Sequence, residues 1–326
     1  MIHDQFGRPI QYLRVAVTDA CNLRCRYCQP EDMRFYPPAH LMRDDEILRL
    51  VRLFASLGFN KIRLTGGEPT LRDGLVDVLR AIIAVPGISD VGLTTNGVRL
   101  AALAAPLKAA GLRRINISLD STDPEAFRRI TCFDRFHEVW RGIEAASAAG
   151  FEIKLNTVVV RGFNDGHDVV ALARLTLTRP WQVRFIELMP FGVLHELHSD
   201  RFVGEAEMLA CITAALGPAA PLHGGALDGE ARIFKLPGAR GELGFISSVT
   251  RPFCAQCGRV RLMANGVLRL CLLCADEVDL LSPLREGASD DALCALITSS
   301  LCRKPWGHEV QEGRYATNHT VSQIGG

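Results

Sequence analysis

The sequence predicts an α/β fold: an incomplete (βα)6-type TIM barrel with a C-terminal region covering the barrel mouth. Three observations carry this expectation. Six segments rich in Val, Ile and Leu alternate with amphipathic segments over the first two thirds of the chain. Polar or glycine-containing stretches follow several of these segments directly, where barrel chemistry is placed. After Pro190 the alternation stops, and the rest is turn-rich and carries a second group of cysteines.

The expected strands are YLRVAV (12–17), KIRL (61–64), VGLTT (91–95), RINISL (114–119), EIKLNTVVV (152–160) and QVRFIEL (182–188). Helices are expected over roughly 44–57, 73–84, 99–110, 124–149 with a break, 167–177 and 204–215. Asp44 and Ser121 are candidates for helix starts. Gly58, Gly111 and Gly150 lie where helices should stop. The repeated βα order calls for mostly parallel strands covered by helices. Six strong strands fit an open barrel better than eight complete units. A Rossmann-type fold also explains alternation, but no GxGxxG follows the first strand. FGVLHELHSD (191–200) reads as a loop. The expected division is a partial barrel over 1–230 and a C-terminal auxiliary region over 231–326.

The chain has 326 residues and 48% apolar content, which argues against disorder. No run reaches 18 apolar residues, and the start, MIHDQFGRPIQYLRVAV, lacks a basic region leading into an apolar core. A cytoplasmic protein is expected, with no membrane partner. The net charge of +1 gives no support for nucleic-acid binding. Arginine outnumbers lysine 32 to five, so Lys61 and Lys154, near strand ends, stand out. Of eleven cysteines, seven form two groups: Cys21, Cys25 and Cys28, then Cys254, Cys257, Cys271 and Cys274. Without an export signal, disulfides are not expected. The scattered Cys132, Cys211, Cys294 and Cys302 read as small structural hydrophobes.

The strongest local signal is CNLRCRYC at 21–28, spaced CxxxCxxC. Three thiolates on one loop can hold three irons of a 4Fe-4S cluster and leave one iron for an outside ligand. Zinc with a fourth ligand from Asp19 or a distant residue stays open on spacing alone. GGEP at 66–69 offers two glycines for close backbone approach, an acceptor in Glu68 and a fixed turn at Pro69. The later CAQCGRVRLMANGVLRLCLLC carries CxxC twice, and a zinc ribbon is an equally good reading of that spacing.

The cluster loop and GGEP resemble the radical S-adenosylmethionine superfamily. With SLD (118–120), RFIELMP (184–190), the second cysteine group and the IGG terminus, the chain resembles the GTP 3′,8-cyclase family over nearly its whole length. The resemblance implies two 4Fe-4S clusters and S-adenosylmethionine as cofactors. Cys21, Cys25 and Cys28 would hold the first cluster. S-adenosylmethionine would chelate its fourth iron and, on reduction, yield a 5′-deoxyadenosyl radical. Tyr27 is then expected near adenine, and Gly66, Gly67 and Glu68 near the methionyl amino group. Thr94, Asn96, Ser118 and Met189 match positions beside the ligand. Cys254, Cys257 and Cys271 would hold a second cluster with an iron open to substrate, and Cys274 is either a free thiol or a fourth ligand. Gly258 and Met263 stand where the family commonly has Asn and Thr.

Arg14, Lys61, Arg63, Lys154, Arg184, Arg259 and Arg261 match positions facing GTP or its phosphates. Arg184, Gly325 and Gly326 match positions that serve cyclisation, the paired glycines entering the mouth of the site. The implied reaction takes the ribose 3′ hydrogen and joins C3′ to guanine C8. The implied partners are GTP, an external one-electron donor and cyclic pyranopterin monophosphate synthase as recipient of the product, with a homodimer also admitted. A radical peptide-modifying enzyme, a zinc protein and a nucleic-acid-binding module are the competing readings.

Overall fold

The computed structural model describes residues 2–190, 200–223, 227–316 and 319–325. Gly326 and most of the expected 191–200 loop lie outside the described residues. The first half runs β1 (Tyr12–Ala16), α1 (Asp44–Ser56), β2 (Lys61–Thr65), α2 (Leu75–Ile83), β3 (Asp90–Thr95), α3 (Leu100–Ala109), β4 (Arg114–Ser118), α4 (Pro124–Thr131), α5 (Phe136–Ala148), β5 (Glu152–Val159), α6 (His167–Thr178) and β6 (Gln182–Glu187). After α7 (Glu205–Leu216) come β7 (Ala220–Pro221), β8 (Leu227–Asp228), β9 (Ala231–Lys235), β10 (Glu242–Ile246), β11 (Arg259–Leu262), β12 (Val267–Arg269) and β13 (Glu277–Asp279), then α8 (Leu281–Arg285) and α9 (Asp290–Leu301).

Local chemistry sets the boundaries. Helix α2 buries Leu75, Val78, Leu79 and Ile82, a three-and-four spacing that makes one apolar face. Gly58, Gly111 and Gly150 take φ of 96°, 101° and 72° just past α1, α3 and α5, a conformation glycine adopts without strain. The two helices start where expected, near residues 44 and 124, but neither Asp44 nor Ser121 is the capping residue. Asp44 is the first helical residue rather than the cap; the Arg43 backbone N–H donates to Glu46 Oε2 at 2.7 Å instead. Asp123, not Ser121, caps α4 by accepting from Ala126 N at 2.7 Å, while the Ser121 hydroxyl accepts from Asp123 N at 2.9 Å.

Strands β1 to β6 are parallel and in chain order, as the βα repeat requires. Strands β1 and β6 do not meet. Strand β11 adds in parallel to β1, and β10 adds in parallel to β6. Beyond β11 lie β12 and β13, and beyond β10 lie β9 and β7, all antiparallel. The C-terminal region therefore widens both edges of the open barrel. Residue 230 falls in the turn between β8 and β9, which pair with each other, so the sheet runs across the expected division. One large apolar cluster, from Ile10 to Leu301, packs strands against helices. No helix among the described residues is long and apolar enough to cross a membrane.

Alternate residues of each strand face the interior. Register then brings cations together: Arg14 pairs with Arg63 on one side and Arg261 on the other, and Tyr12 likewise with Lys61 and Arg259. Across the barrel, Lys154 lies opposite Asn116 and Gln182, and Arg184 opposite Asn156 and Gly244.

Candidate active site

The loop after β1 is fixed by backbone bonds. Cys28 N donates to Cys25 O at 2.8 Å, and the Gln29 side chain donates to Leu23 O at 2.7 Å. Arg24 N and Arg26 N donate to Thr131 O and Ile130 O at 3.0 Å, pinning the loop to the end of α4. Burial pushes the Cys21, Cys25 and Cys28 thiols up, and for Cys25 and Cys28 Asp120 and the neighbouring thiols push further the same way. Three partly buried thiols side by side call for a cationic partner to become thiolates, and iron would supply that charge.

GGEP turns back against this loop. Gly67 N donates to Thr18 O at 2.8 Å and Glu68 N to Ala20 O at 2.7 Å. A Cβ on Gly66 would lie 2.2 Å from Thr18 O, and one on Gly67 2.3 Å from Asp19 O, so neither position admits a side chain. Glu68 is committed to protein donors: Oε1 accepts from Thr70 N at 3.0 Å and from the Thr70 and Thr95 hydroxyls at 2.6 Å, and Oε2 from Asn96 N at 2.6 Å. Its carboxylate clamps the turn onto the end of β3.

A cavity of about 100 Å³ lies between loop and turn, lined by Cys21, Cys25, Tyr27, Gly66, Gly67, Thr94, Asn96, Ser118 and Asp120 among others. Tyr27 donates its hydroxyl to Asp120 Oδ2 at 2.7 Å. Burial raises the Asp120 carboxyl to about 6 despite that bond and one from Val158 N. Asn96 holds the loop through Asn22 Oδ1 at 2.7 Å. The buried Thr94 hydroxyl has no hydrogen-bond partner among the described residues and faces the cavity, so an acceptor on a ligand fits it.

Tyr27, Thr94 and Ser118 also line a second cavity of about 220 Å³, together with Arg14, Asn116, Asn156, Met189, Glu230, Arg259 and Arg261. Arg63 donates to Asn116 Oδ1 at 3.0 Å. Lys61 lies 3.7 Å from Asp90 and Lys154 3.3 Å from Glu152 at the strand starts, and the Arg184 Nε donates to Gln182 Oε1. Glycine makes room for two of these arginine side chains. A Cβ on Gly92 would lie 2.6 Å from Arg63 Nη1, and one on Gly244 3.0 Å from Arg184 Cγ. Tyr12 is enclosed by cations: Lys61 Nζ lies 4.8 Å and the Arg259 guanidinium 5.5 Å from its ring centre. Burial pushes the Tyr12 phenol up, but Arg63, Arg14 and Arg259 outweigh it and lower it to about 8.

The C-terminal tail reaches this interior. The Gly325 carbonyl accepts from Arg14 at 3.0 Å, the Thr65 hydroxyl at 2.9 Å and Arg261 at 3.4 Å. Val321 N donates to Cys28 O at 3.1 Å, and Ile324 is buried with Met263, Leu273 and Val310. Gly325 has φ 82°, and a Cβ there would lie 2.8 Å from Thr65 Cγ2.

A third cavity, about 70 Å³, shares Met189, Phe253, Arg259 and Arg261 with the second and is lined by Cys254, Cys257, Cys271, Lys304 and His308. Cys274 is not part of that lining; its thiol lies 3.7 Å from Gly307 O. Hydrogen bonding from Cys274 pulls the Cys271 thiol well down, and the same contact pushes Cys274 up. Lys304 Nζ donates to Leu270 O at 2.5 Å, and His308 Nε2 lies 2.8 Å from Ser248 O.

Cavity lining brings together Cys21, Cys25, Tyr27, Gly66, Gly67, Thr94, Asn96 and Ser118 at one end, Arg14, Met189, Arg259 and Arg261 between, and Cys254, Cys257 and Cys271 at the other. Lys61, Arg63, Lys154 and Arg184 are aligned with neighbouring strands by register, Cys28, Glu68 and Gly325 line none of these three cavities, and Gly326 is not described. Sequence reading missed Tyr12, Gly92, Asn116, Asn156, Glu230, Gly244, Lys304 and His308. Strand parity placed Tyr12, Asn116 and Asn156 inward and was the available signal for them.

Comparison with known proteins agrees with this layout. Residues 15–175 match the Radical SAM superfamily, and residues 181–310 match Molybdenum Cofactor Synthesis C. The chain is 45% identical to GTP 3′,8-cyclase of Pelotomaculum thermopropionicum, covering 100% of both chains. It is also 45% identical to GTP 3′,8-cyclase of Heliobacterium modesticaldum, over 99% of each. Among solved structures, Streptococcus suis SuiB bound to S-adenosylmethionine superposes with a TM-score of 0.62 at 16% identity, over 97% of this chain and 78% of that one, a likeness of fold alone. By its cysteine loops, its barrel and its full-length relatives, the chain belongs to the GTP 3′,8-cyclase family of the radical S-adenosylmethionine superfamily.

Proposed function

We propose that the chain converts GTP into 3′,8-cyclo-7,8-dihydro-GTP, an early step of molybdenum-cofactor synthesis. The observation that carries this reading is one run of three adjoining cavities: cysteines at each end and arginines between them. When bound, a 4Fe-4S cluster and S-adenosylmethionine supply a one-electron cleavage that leaves a 5′-deoxyadenosyl radical.

The chain's own residues bind and orient. Cys21, Cys25 and Cys28 would hold the first cluster. The Gly66–Gly67 backbone, Thr94, Asn96 and Ser118 receive the methionyl and ribose ends of S-adenosylmethionine, with Tyr27 and Met189 toward adenine. Glu68 acts through the turn it clamps. Cys254, Cys257 and Cys271 would hold a second cluster at the far end, which would supply a coordination site for guanine.

Arg14, Lys61, Arg63, Lys154, Arg184, Arg259 and Arg261 neutralise the triphosphate, which needs compensation in a cavity with little water. Arg184, Gly325 and Gly326 shape the cyclisation step. Arg14 and Arg261 tie the Gly325 carbonyl into the cation set, which supports that placement of the tail. Holding ribose and guanine in one pose converts ring closure into a step within a bound complex. We place the enzyme in the cytoplasm, drawing electrons from an external one-electron donor and passing product to cyclic pyranopterin monophosphate synthase.

Anaerobic turnover of the reconstituted protein with GTP, S-adenosylmethionine and a strong reductant tests the reading. Mass spectrometry is expected to find both 5′-deoxyadenosine and a cyclised GTP product. 5′-Deoxyadenosine with unaltered GTP would move the search to another substrate.

A further inference from the structure

One carboxylate stands among the arginines of the interior with little to hold it. Glu230 follows Gly229, φ 66°, in the turn between β8 and β9. Its side chain is 17% exposed, and Oε1 lies 3.5 Å from Arg259 Nη1. A charge-assisted hydrogen bond is shorter, about 2.7–2.9 Å, so this pair is loose. Glu187, the other carboxylate lining the same cavity, is fully engaged: it accepts from Glu205 N at 3.1 Å and from Val249 N and Thr250 N at 2.9 Å, besides the Thr250 hydroxyl.

Burial pushes the Glu230 carboxyl up, but Arg259, Arg184, Arg14 and Arg63 together pull it well below the usual carboxylate range. Glu230 is therefore an anion at neutral pH. Arg259 has other support, because its guanidinium lies 5.5 Å from the Tyr12 ring centre and 5.2 Å from that of Phe253. The carboxylate is not required to place the arginine.

An ionised, loosely paired side chain on a turn, inside a cationic cavity, occupies the position an anionic ligand would take. A polyphosphate cannot share these arginines with a carboxylate without like-charge repulsion. We propose that Glu230 is a resident counter-ion of the arginine set: it neutralises Arg259 while no polyphosphate is bound, and it turns away when a polyphosphate takes Arg259. Glu230 thus sets anion affinity rather than chemistry. The inference rests on the assignment of this cavity to the phosphates of a nucleotide. Inorganic tripolyphosphate separates the two, since its binding does not depend on the nucleotide.

The test is calorimetric titration of the anaerobically reconstituted full-length protein with tripolyphosphate, GTP and guanosine. Wild type is compared with Glu230→Gln and Glu230→Ala, and with Glu230→Asp, whose shorter arm weakens the pair while keeping the charge. Glu230→Gln and Glu230→Ala are expected to bind tripolyphosphate and GTP about 10-fold tighter at low salt, with a smaller gain at high salt and none for guanosine. Glu230→Asp should fall between them and wild type. A purely structural role would yield no phosphate-dependent gain. Unchanged or weaker tripolyphosphate binding in variants that melt like wild type would overturn the proposal. Lost guanosine binding would also overturn it, marking Glu230 as an acceptor for the base or ribose. Tighter tripolyphosphate binding without GTP turnover by wild type would uphold the counter-ion and defeat the GTP assignment.

Discussion

At one end of the interior, Cys21 and Cys25 line a cavity in which none of the described lining residues is a cation and the ionisable carboxyl is Asp120. At the other end, Cys254, Cys257 and Cys271 share a cavity with Lys304, His308, Arg259 and Arg261. The first loop is held by backbone bonds to α4 and to the tail; the second is surrounded by cationic side chains. This difference sorts ligands by charge. S-adenosylmethionine carries a positive sulfonium and suits the end that lacks cations. GTP carries a triphosphate and suits the end where arginines crowd. Two cysteine groups of unlike spacing thus differ also in the charge that the barrel packs beside them.

The sharpest way to break the comparison is to remove one cysteine at each end. Cys25→Ala should lower 5′-deoxyadenosine formation by about 1,000-fold or more. Cys271→Ala should keep 5′-deoxyadenosine within about 10-fold of wild type while the cyclised product disappears. Equal loss of both products in the two variants would show that the ends do not divide the work. Next in size, Arg261→Ala should weaken GTP by about 2–3 kcal/mol and leave S-adenosylmethionine affinity unchanged in equilibrium titrations. A matching loss for S-adenosylmethionine would erase the charge sorting.

Asp120 sharpens the picture of the cation-free end. Folding raises its carboxyl from 3.8 to about 6, so the folded state holds the proton more tightly than the unfolded chain. Its contribution to stability is therefore fully present below about pH 4 and is lost as pH rises to about 6. Denaturant melts of wild type against Asp120→Asn should show wild type losing about 2 kcal/mol relative to the variant across that window. A pH-independent difference would contradict a dry carboxyl there. The smallest effect belongs to Cys274→Ser, which should keep product formation within about threefold, since Cys274 acts on Cys271 from outside the described cavity lining. Loss of the second cluster in that variant would make Cys274 a ligand.

The six parallel strands were legible because each is a short β-branched run bounded by a helix, and their observed ends agree with expectation to within about two residues. Arg14, Arg63 and Arg184 were reached through the family resemblance, and the strand register aligns Arg14 with Arg63. Strands β10 and β11 were not legible as additions to the barrel: five and four residues long, they extend the parallel set only through pairing with β6 and β1 far away in sequence. Glu230 escaped for a related reason. Its turn reads as solvent-facing, and only the fold of β8 and β9 against β10 turns it toward Arg259. Gly92 and Gly244 read as ordinary strand glycines until the Arg63 guanidinium and the Arg184 stem that they accommodate were in place. The helix starts near residues 44 and 124 were legible, whereas the caps Arg43 and Asp123 were not, because neighbouring Asp and Ser residues compete for the same capping bonds.

The central claim is that both ends act on one nucleotide held between them, and isotope transfer tests it most directly. GTP carrying deuterium at ribose C3′ is incubated anaerobically with the reconstituted protein, S-adenosylmethionine and reductant. The account predicts deuterium in the 5′-deoxyadenosine recovered alongside the cyclised product. Unlabelled 5′-deoxyadenosine beside intact, fully labelled GTP would contradict it.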